Sequence, residues 1–371
     1  MTTIYIENYG CVANYDNGAI IAGMLDSEGY TIVKDALDAD VAIINSCAVK
    51  NKTVNKIVYS IDKIKEQYPN KKIIITGCMA VSERNKLKEY LKNGVALIST
   101  QNITSIHSLI PKLLNGEQIV LLNKRKELKL GLPKLESNNK IASIQISEGC
   151  LSACTFCSTK LAKGNLTSYP KEKIVDEVKK YVDSGYKRIN LTSTDNACYG
   201  FDLGYDLPTL LEDVVKLEGN FIIRVGMGNP EHTLKYLNKL IEVYKNPKIM
   251  KFVHLPVQSG SNKVLKEMKR KYMIETFKEI INKFRKEIPE IHISTDMIVG
   301  YPTETEEDFQ ETLNLVKELK FEVMNISKFA SRTGTSASRL KQLSSQVIKQ
   351  RSVELTELFN QIKKERFTRH H

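Results

Sequence analysis

The sequence predicts an α/β protein in two parts: a small doubly wound domain with a parallel sheet, then an open, partial (β/α)6 barrel. Three observations carry this. Short apolar runs alternate with segments of helical apolar spacing along nearly the whole chain. A basic stretch at 123–140, with Gly131 and Pro133 inside it, interrupts that alternation once. Beyond it, about 225 residues hold six strand–helix units, too few for a closed eight-stranded barrel. A length of 371 residues favours two or three domains over one, and 42% hydrophobic residues suffice for sizeable cores.

In the first domain, 1–122, residues 4–7 read as a strand and 17–28 as a helix stopped by Gly29. Residues 39–45 form a second strand, and a helix follows from about 50 to 67. Pro69 and Asn70 turn the chain into a third strand at 72–76, then a helix near 82–92. A fourth strand at 95–99 and a helix at 104–114 complete the domain. In the segment 123–140, Lys124, Arg125, Lys126, Lys129, Lys134 and Lys140 face only Glu127 and Glu136. It reads as an exposed basic linker, either solvated or in contact with a phosphate backbone.

The second domain, 141–371, has candidate strands at 141–146, 188–192, 221–227, 252–255, 291–299 and 321–329. Candidate helices lie near 171–184, 208–217, 232–244, 261–268, 274–287, 304–319 and 344–366. No apolar run approaches the roughly 20 residues that span a bilayer. No secretory signal is visible, and seven widely spaced cysteines do not make a disulfide framework, so a reducing cytoplasm is expected. A net charge of +12 suits a polyanionic partner, nucleic acid first, or simply a lysine-rich soluble surface.

The most telling residues are cysteines. Cys150, Cys154 and Cys157 stand at C-x-x-x-C-x-x-C spacing on a turn after a strand. Three thiolates on such a loop suit three corners of a cubic iron–sulfur cluster with one iron left open. A zinc site would rather use four ligands, and no second Cys pair lies nearby. Cys11, Cys47 and Cys78 each follow the end of a predicted strand. Carboxyl ends of parallel strands open on one edge, so these three converge as a second candidate cluster site. Singly, each reads as a small buried residue. Cys198 belongs to neither triplet and reads as free. At the corresponding edge of the barrel lie 192–196, Arg224 with 226–230, 254–261, and Asp296 with 300–304. Their plain alternatives are a hydrogen-bonded core His254, a turn cap at Asp195, and a helix N-cap at Thr303 with Glu306.

With both triplets present, the chain resembles the methylthiotransferase family of radical S-adenosylmethionine enzymes from residue 5 to about 365. The marks are 10–16, 45–49, 76–80, the loop from Gly149 to Cys157 with Phe156 before its last cysteine, 255–261, 268–272 and 295–302. The resemblance implies that Cys150, Cys154 and Cys157 hold the radical-generating 4Fe–4S cluster, and Cys11, Cys47 and Cys78 an auxiliary one. It implies S-adenosylmethionine as the second cofactor, expected at Phe156, Ser193, Asp195, Arg224, Gln258, Ser259 and Asp296. No catalytic residue is assigned beyond the clusters. The segment Leu191 to Asp195, with Tyr199 to Asp202, resembles the archaeal and eukaryotic branch, which methylthiolates N6-threonylcarbamoyladenosine beside the anticodon of tRNA. The alternatives are isopentenyladenosine in tRNA and an aspartate of a ribosomal protein. Expected partners are the tRNA anticodon stem-loop and a reductant, with no membrane and a monomeric chain. Thr303 stands where the family usually has glycine. The family's C-terminal RNA-binding β-barrel is expected to be absent, which puts weight on Lys349, Arg351, Lys363, Lys364, Arg366 and Arg369 of the last helix.

Overall fold

The computed structural model describes residues 1–49, 51–135 and 140–368. Readings that fall on Lys50, Glu136 and Arg369 lie outside them. In the first half, six parallel strands stand in the order β2-β1-β3-β4-β5-β6: β1 (Thr3–Asn8), β2 (Thr31–Val33), β3 (Val41–Ser46), β4 (Lys72–Gly77), β5 (Val95–Ile98) and β6 (Val120–Leu121). The two strands the sequence did not announce, β2 and β6, are the short edges. Along β3 every residue is buried. Ala42 and Ile44 feed one hydrophobic cluster while Val41 and Ile43 feed another on the opposite face. That two-sided burial is what helices on both faces of a parallel sheet require.

The first helix, Val12–Ser27, starts directly after Cys11 rather than at residue 17. Its polar opening residues Asn14, Asp16 and Asn17 are buried, so the apolar periodicity that marks a surface helix begins late. The helix expected near 82–92 breaks into Cys78–Ser82, Arg84–Leu87 and a 3-10 turn, Lys88–Asn93.

The second half has β7 (Ile141–Gln145), an antiparallel pair β8 (Ser147–Glu148) and β9 (Thr167–Ser168), then β10 (Arg188–Thr192), β11 (Ile222–Val225), β12 (Phe252–His254), β13 (His292–Val299) and β14 (Val323–Lys328). Two three-stranded parallel sheets, β7-β10-β11 and β12-β13-β14, are joined by a parallel bridge from Ile223 to Ile249. Six strands therefore run as one open arc. Ile144, Leu191 and Val225 face the helices in the main core. The residues next to them, with Asn190 beside Arg224 and Asp296 beside Asn325, give the other face a polar lining. The next helix after β13 is capped by Thr305 with Asp308 in a reciprocal box, not by Thr303 with Glu306. No helix among the described residues is long and apolar enough to cross a membrane.

The stretch after β6 is exposed at Lys124, Arg125, Lys126 and Lys140, as its composition suggests, but not at its other two lysines. Lys129 is 1% exposed, and its ammonium donates to Glu148 Oε1 at 2.6 Å, the Thr100 carbonyl at 2.7 Å and Asn17 Oδ1 at 3.2 Å. Lys134 pairs with buried Asp16 at 2.8 Å. Gln145 on β7 donates to both Asp16 and Asn17. The lysines thus bolt the first helix to the start of the second half. Composition shows the charges but not their partners, which come from elements far along the chain.

Candidate active site: two cysteine triplets at one junction

Strands β1, β3 and β4 are neighbours, so their carboxyl ends deliver Cys11, Cys47 and Cys78 together. Cys11 caps the helix Val12–Ser27, Cys47 directly follows β3, and Cys78 opens the helix Cys78–Ser82. Cys11 is near enough to act on the ionisation of Cys47, and both act on that of Cys78. Cys47 and Cys78 are buried, while Cys11 is exposed and opens the site to solvent. None is in a disulfide. The backbone closes tightly on them. A Cβ on Gly10 would meet Cys47 Cβ at 2.6 Å, and one on Gly77 would meet the Ser46 carbonyl oxygen at 2.2 Å. Both glycines also sit at positive φ, +114° and +92°. Burial raises the Cys47 thiol and pushes Cys78 up to about 12.

The second triplet lies on the loop after β8. Gly149, at φ +71°, turns the chain where a Cβ would strike the Asn165 carbonyl oxygen at 2.0 Å. Cys157 caps the helix Ser158–Lys163, its sulfur accepting the Lys160 N–H at 3.4 Å. The loop is braced from several sides. Thr155 N–H reaches the Met268 carbonyl at 3.2 Å, the Thr155 hydroxyl meets the Tyr301 hydroxyl at 2.8 Å, and Asn229 Nδ2 donates to Ser152 Oγ at 2.9 Å. Arg270, 9% exposed, puts Nη1 3.6 Å from Cys154 Sγ and Nη2 on the Pro256 carbonyl at 2.7 Å. Burial raises Cys154, with Arg270 acting against it, and pushes Cys157 up to about 11. Cys150 is lowered instead, chiefly by a hydrogen bond from Cys198.

Asp195 is nearly fully buried and already occupied. It accepts from His232 Nδ1 at 2.8 Å, Ala197 N–H at 3.0 Å and Asn229 N–H at 2.9 Å, with Cys150 Sγ at 3.6 Å. Burial acts to raise its pKa, but the hydrogen bonds and the His232 charge hold it below the usual carboxylate range. It therefore pins the loops after β10 and β11 against the cysteine loop. Cys198 is buried beside it, its sulfur 3.3 Å from the Asp195 carbonyl.

The remaining predicted residues divide. Arg224 lies on the polar face, its guanidinium 4.9 Å over the Phe252 ring. Asp296 accepts from Asn325 at 2.8 Å and meets His254 Nε2 at 3.0 Å. Gln258 holds a positive φ of +77°, a strained conformation for a residue with a side chain, between two bonds to β13. Ser193 donates to Asn196, and Ser259 is buried with its hydroxyl taking the Ser261 N–H. Phe156 packs with Tyr301 and Phe329. Thr303 donates to Glu267. Arg351, expected to face RNA, is 6% exposed and paired with Glu304 and Glu306. Sequence reasoning missed Arg270, His232, Asn229 and Lys163. Only Arg270 and Asn229 stood inside stretches it had marked.

Cys78 and Cys157 each head a short helix at the junction of the two halves. The helix Cys78–Ser82 packs on the helix Ser158–Lys163, and Ala162 joins the hydrophobic cluster that contains Cys47 and Cys78. Neither triplet holds all three of its sulfurs within 4.8 Å of one another. A single tetrahedral ion with sulfur at about 2.3 Å would draw three sulfurs to roughly 4 Å of each other. Among the described residues, the one group of potential ligands that tight is Cys150, Asp195 and Cys198. There the Asp195 carboxylate is already spent on three other donors.

Residues 144–316 match the Radical SAM superfamily, and residues 3–99 match the uncharacterized protein family UPF0004. A relative in Pyrococcus horikoshii, a probable threonylcarbamoyladenosine tRNA methylthiotransferase, is 42% identical over 95% of this chain and 82% of its own. The human threonylcarbamoyladenosine tRNA methylthiotransferase is 40% identical over 96% of this chain and 62% of its own. A radical S-adenosylmethionine methyltransferase from Kitasatospora setae, solved with cobalamin and a [4Fe–4S] cluster, aligns with a TM-score of 0.64 at 12% identity, covering 91% of this chain and 74% of that one. That likeness is one of fold. By its identity to the archaeal and human proteins along nearly its whole length, the chain belongs to the threonylcarbamoyladenosine tRNA methylthiotransferase family.

Proposed function

We propose that this chain places a methylthio group on N6-threonylcarbamoyladenosine beside the anticodon of tRNA. One observation supports the reading: two cysteine triplets, one from each half, are followed by helices that pack on each other. The relatives' names supply the substrate class. In this reading Cys150, Cys154 and Cys157 hold one 4Fe–4S cluster and Cys11, Cys47 and Cys78 a second. S-adenosylmethionine lies against the polar face, with Arg224, Gln258 and Asp296 offering polar contacts and Phe156, Ser193, Asp195 and Ser259 shaping the walls. When bound, the clusters and S-adenosylmethionine supply the electron, the methyl group and the sulfur.

The chain's own residues do the rest. The thiols surrender their protons as metal binds. Arg270 places a positive charge at Cys154, and Asp195 with His232 keeps the loops after β10 and β11 in register with the cysteine loop. The net charge of +12, with exposed Lys349, Lys363 and Lys364 on the last helix, suits a phosphate backbone at the anticodon stem-loop. The reading further includes an external low-potential reductant, a monomer and a cytoplasmic setting.

Mass spectrometry of nucleosides from tRNA, with and without the reconstituted protein, tests it. A gain of one methylthio group on N6-threonylcarbamoyladenosine is expected. Modification of isopentenyladenosine, or of a ribosomal protein with tRNA untouched, overturns the substrate. Iron and sulfide should each reach roughly eight per chain after anaerobic reconstitution. Half that content would overturn the two-site reading.

A further inference from the structure

Four buried cations sit at the junction between the two halves, and three are matched. Lys129 has Glu148 at 2.6 Å and Lys134 has Asp16 at 2.8 Å. Arg332, 3% exposed, has buried Glu83 at 3.3 Å. The fourth is Lys163, also 3% exposed, at the end of the helix Ser158–Lys163. Among the described residues no carboxylate pairs with its ammonium at salt-bridge distance. Its backbone is fixed, since Gln101 Nε2 donates to its carbonyl at 3.0 Å and its helix packs on the helix that Cys78 opens. Its chain neighbour Ala162 is buried in the same cluster as Cys47 and Cys78, and Glu148 also lies near enough to act on the ammonium. Glu148 is already taken by Lys129.

A buried charge without a partner is costly, so a position that keeps one implies an anion that completes it. We infer that Lys163, carried by the second half, is the cation that completes the Cys11, Cys47 and Cys78 site and sets the reduction potential of the cluster held there. The inference rests on the two-site reading above. A cubic cluster on three thiolates is net negative, and one-electron reduction adds one more negative charge. A nearby ammonium in a desolvated setting favours the more negative state. Lys160, three residues earlier on the same helix, turns instead to the Cys150 carbonyl. One helix thus follows the radical cysteine loop and also brings a cation to the auxiliary site.

The test uses the full chain with Cys150→Ala, Cys154→Ala and Cys157→Ala, so that one cluster remains. It is titrated with dithionite, which gives the electron, and the reduced cluster is read by electron paramagnetic resonance. Adding Lys163→Met should lower the reduced-to-oxidised ratio at fixed potential by about tenfold, which is about 59 mV for one electron. Lys163→Arg should stay near the parent value. An unchanged ratio in Lys163→Met, or an equal fall in Lys163→Arg, overturns the inference while leaving both sites standing. If Lys163→Met loses its cluster and Lys163→Arg keeps it, the charge is upheld; loss from both variants counts against it. A parent chain that takes up no iron overturns the two-site reading, and this inference with it.

Discussion

Replacing Lys129 with methionine tests whether the two halves are held by buried charge. The side chain is kept at similar volume, but three donated bonds disappear, to Glu148, the Thr100 carbonyl and Asn17. Glu148, with a side chain 4% exposed, is left as a buried carboxylate without its cation. Breaking a buried pair from one side costs about 3–5 kcal/mol. At about 2.1 cal/mol/K of unfolding entropy per residue, some 4 kcal/mol lowers the Tm of this 371-residue chain by roughly 5 °C. Adding Glu148→Gln removes the stranded charge, so the double variant should recover about 2 kcal/mol relative to the sum of the two single changes. Urea unfolding followed by circular dichroism reads both, with the midpoint moving at unchanged slope. A Lys129→Met cost under about 1 kcal/mol, or additive single changes, would refute the reasoning and return the stretch after β6 to a solvated tether.

Three further outcomes are expected. Gly77→Ala should strip the Cys11, Cys47 and Cys78 site, because the new Cβ meets the Ser46 carbonyl oxygen at 2.2 Å on a backbone at φ +92°; iron analysis should fall by about half, with the other site retained. Asp195→Asn should loosen the loops after β10 and β11, since His232 and two backbone N–H groups lose a charged acceptor. It should destabilise by about 2–3 kcal/mol and lower iron retention at Cys150, as read by unfolding and metal analysis. Asp308 closes the capping box with Thr305 at the start of the helix Glu306–Leu319. Burial acts to raise its pKa, but hydrogen bonds from Lys263, Ser261 and Thr305 bring it down to about 2. A depressed carboxyl stabilises above its unfolded pKa, and that contribution fades as pH falls from about 4 towards 2. Half-exposed Lys263 limits it to about 1–2 kcal/mol. Asp308→Asn should flatten stability across that window and leave the remaining acid unfolding in place.

The parallel strands other than the short edges β2 and β6, and the grouping of the cysteines into two triplets, were legible in the sequence, because strand periodicity is local and strand ends on one edge of a parallel sheet converge without further information. Local patterns also located Arg224 and Asp296 on one face. What the sequence left hidden are relations between distant segments. The first helix was placed five residues late because its polar opening is buried, Asn14 against the ends of β1 and β3 and Asp16 and Asn17 against Gln145 of the second half, partners no local pattern reveals. Thr303 and Thr305 both offer N-cap chemistry, and packing of Thr303 against Glu267 decided between them.

The sequence by itself determined the architecture and the grouping of six cysteines into two triplets, since chain order and side-chain chemistry are enough for those. Only the tertiary structure decided what each charge is worth. Lys129 and Lys134 look like solvated linker residues until Glu148 and Asp16 are brought beside them, and Arg351 looks like an RNA contact until Glu304 covers it. Lys163 is one lysine among many until folding buries it on a helix packed against the one that Cys78 opens. Charge is a property of a residue, but its energy depends on distance and on exclusion of water, and those exist only once the chain has packed.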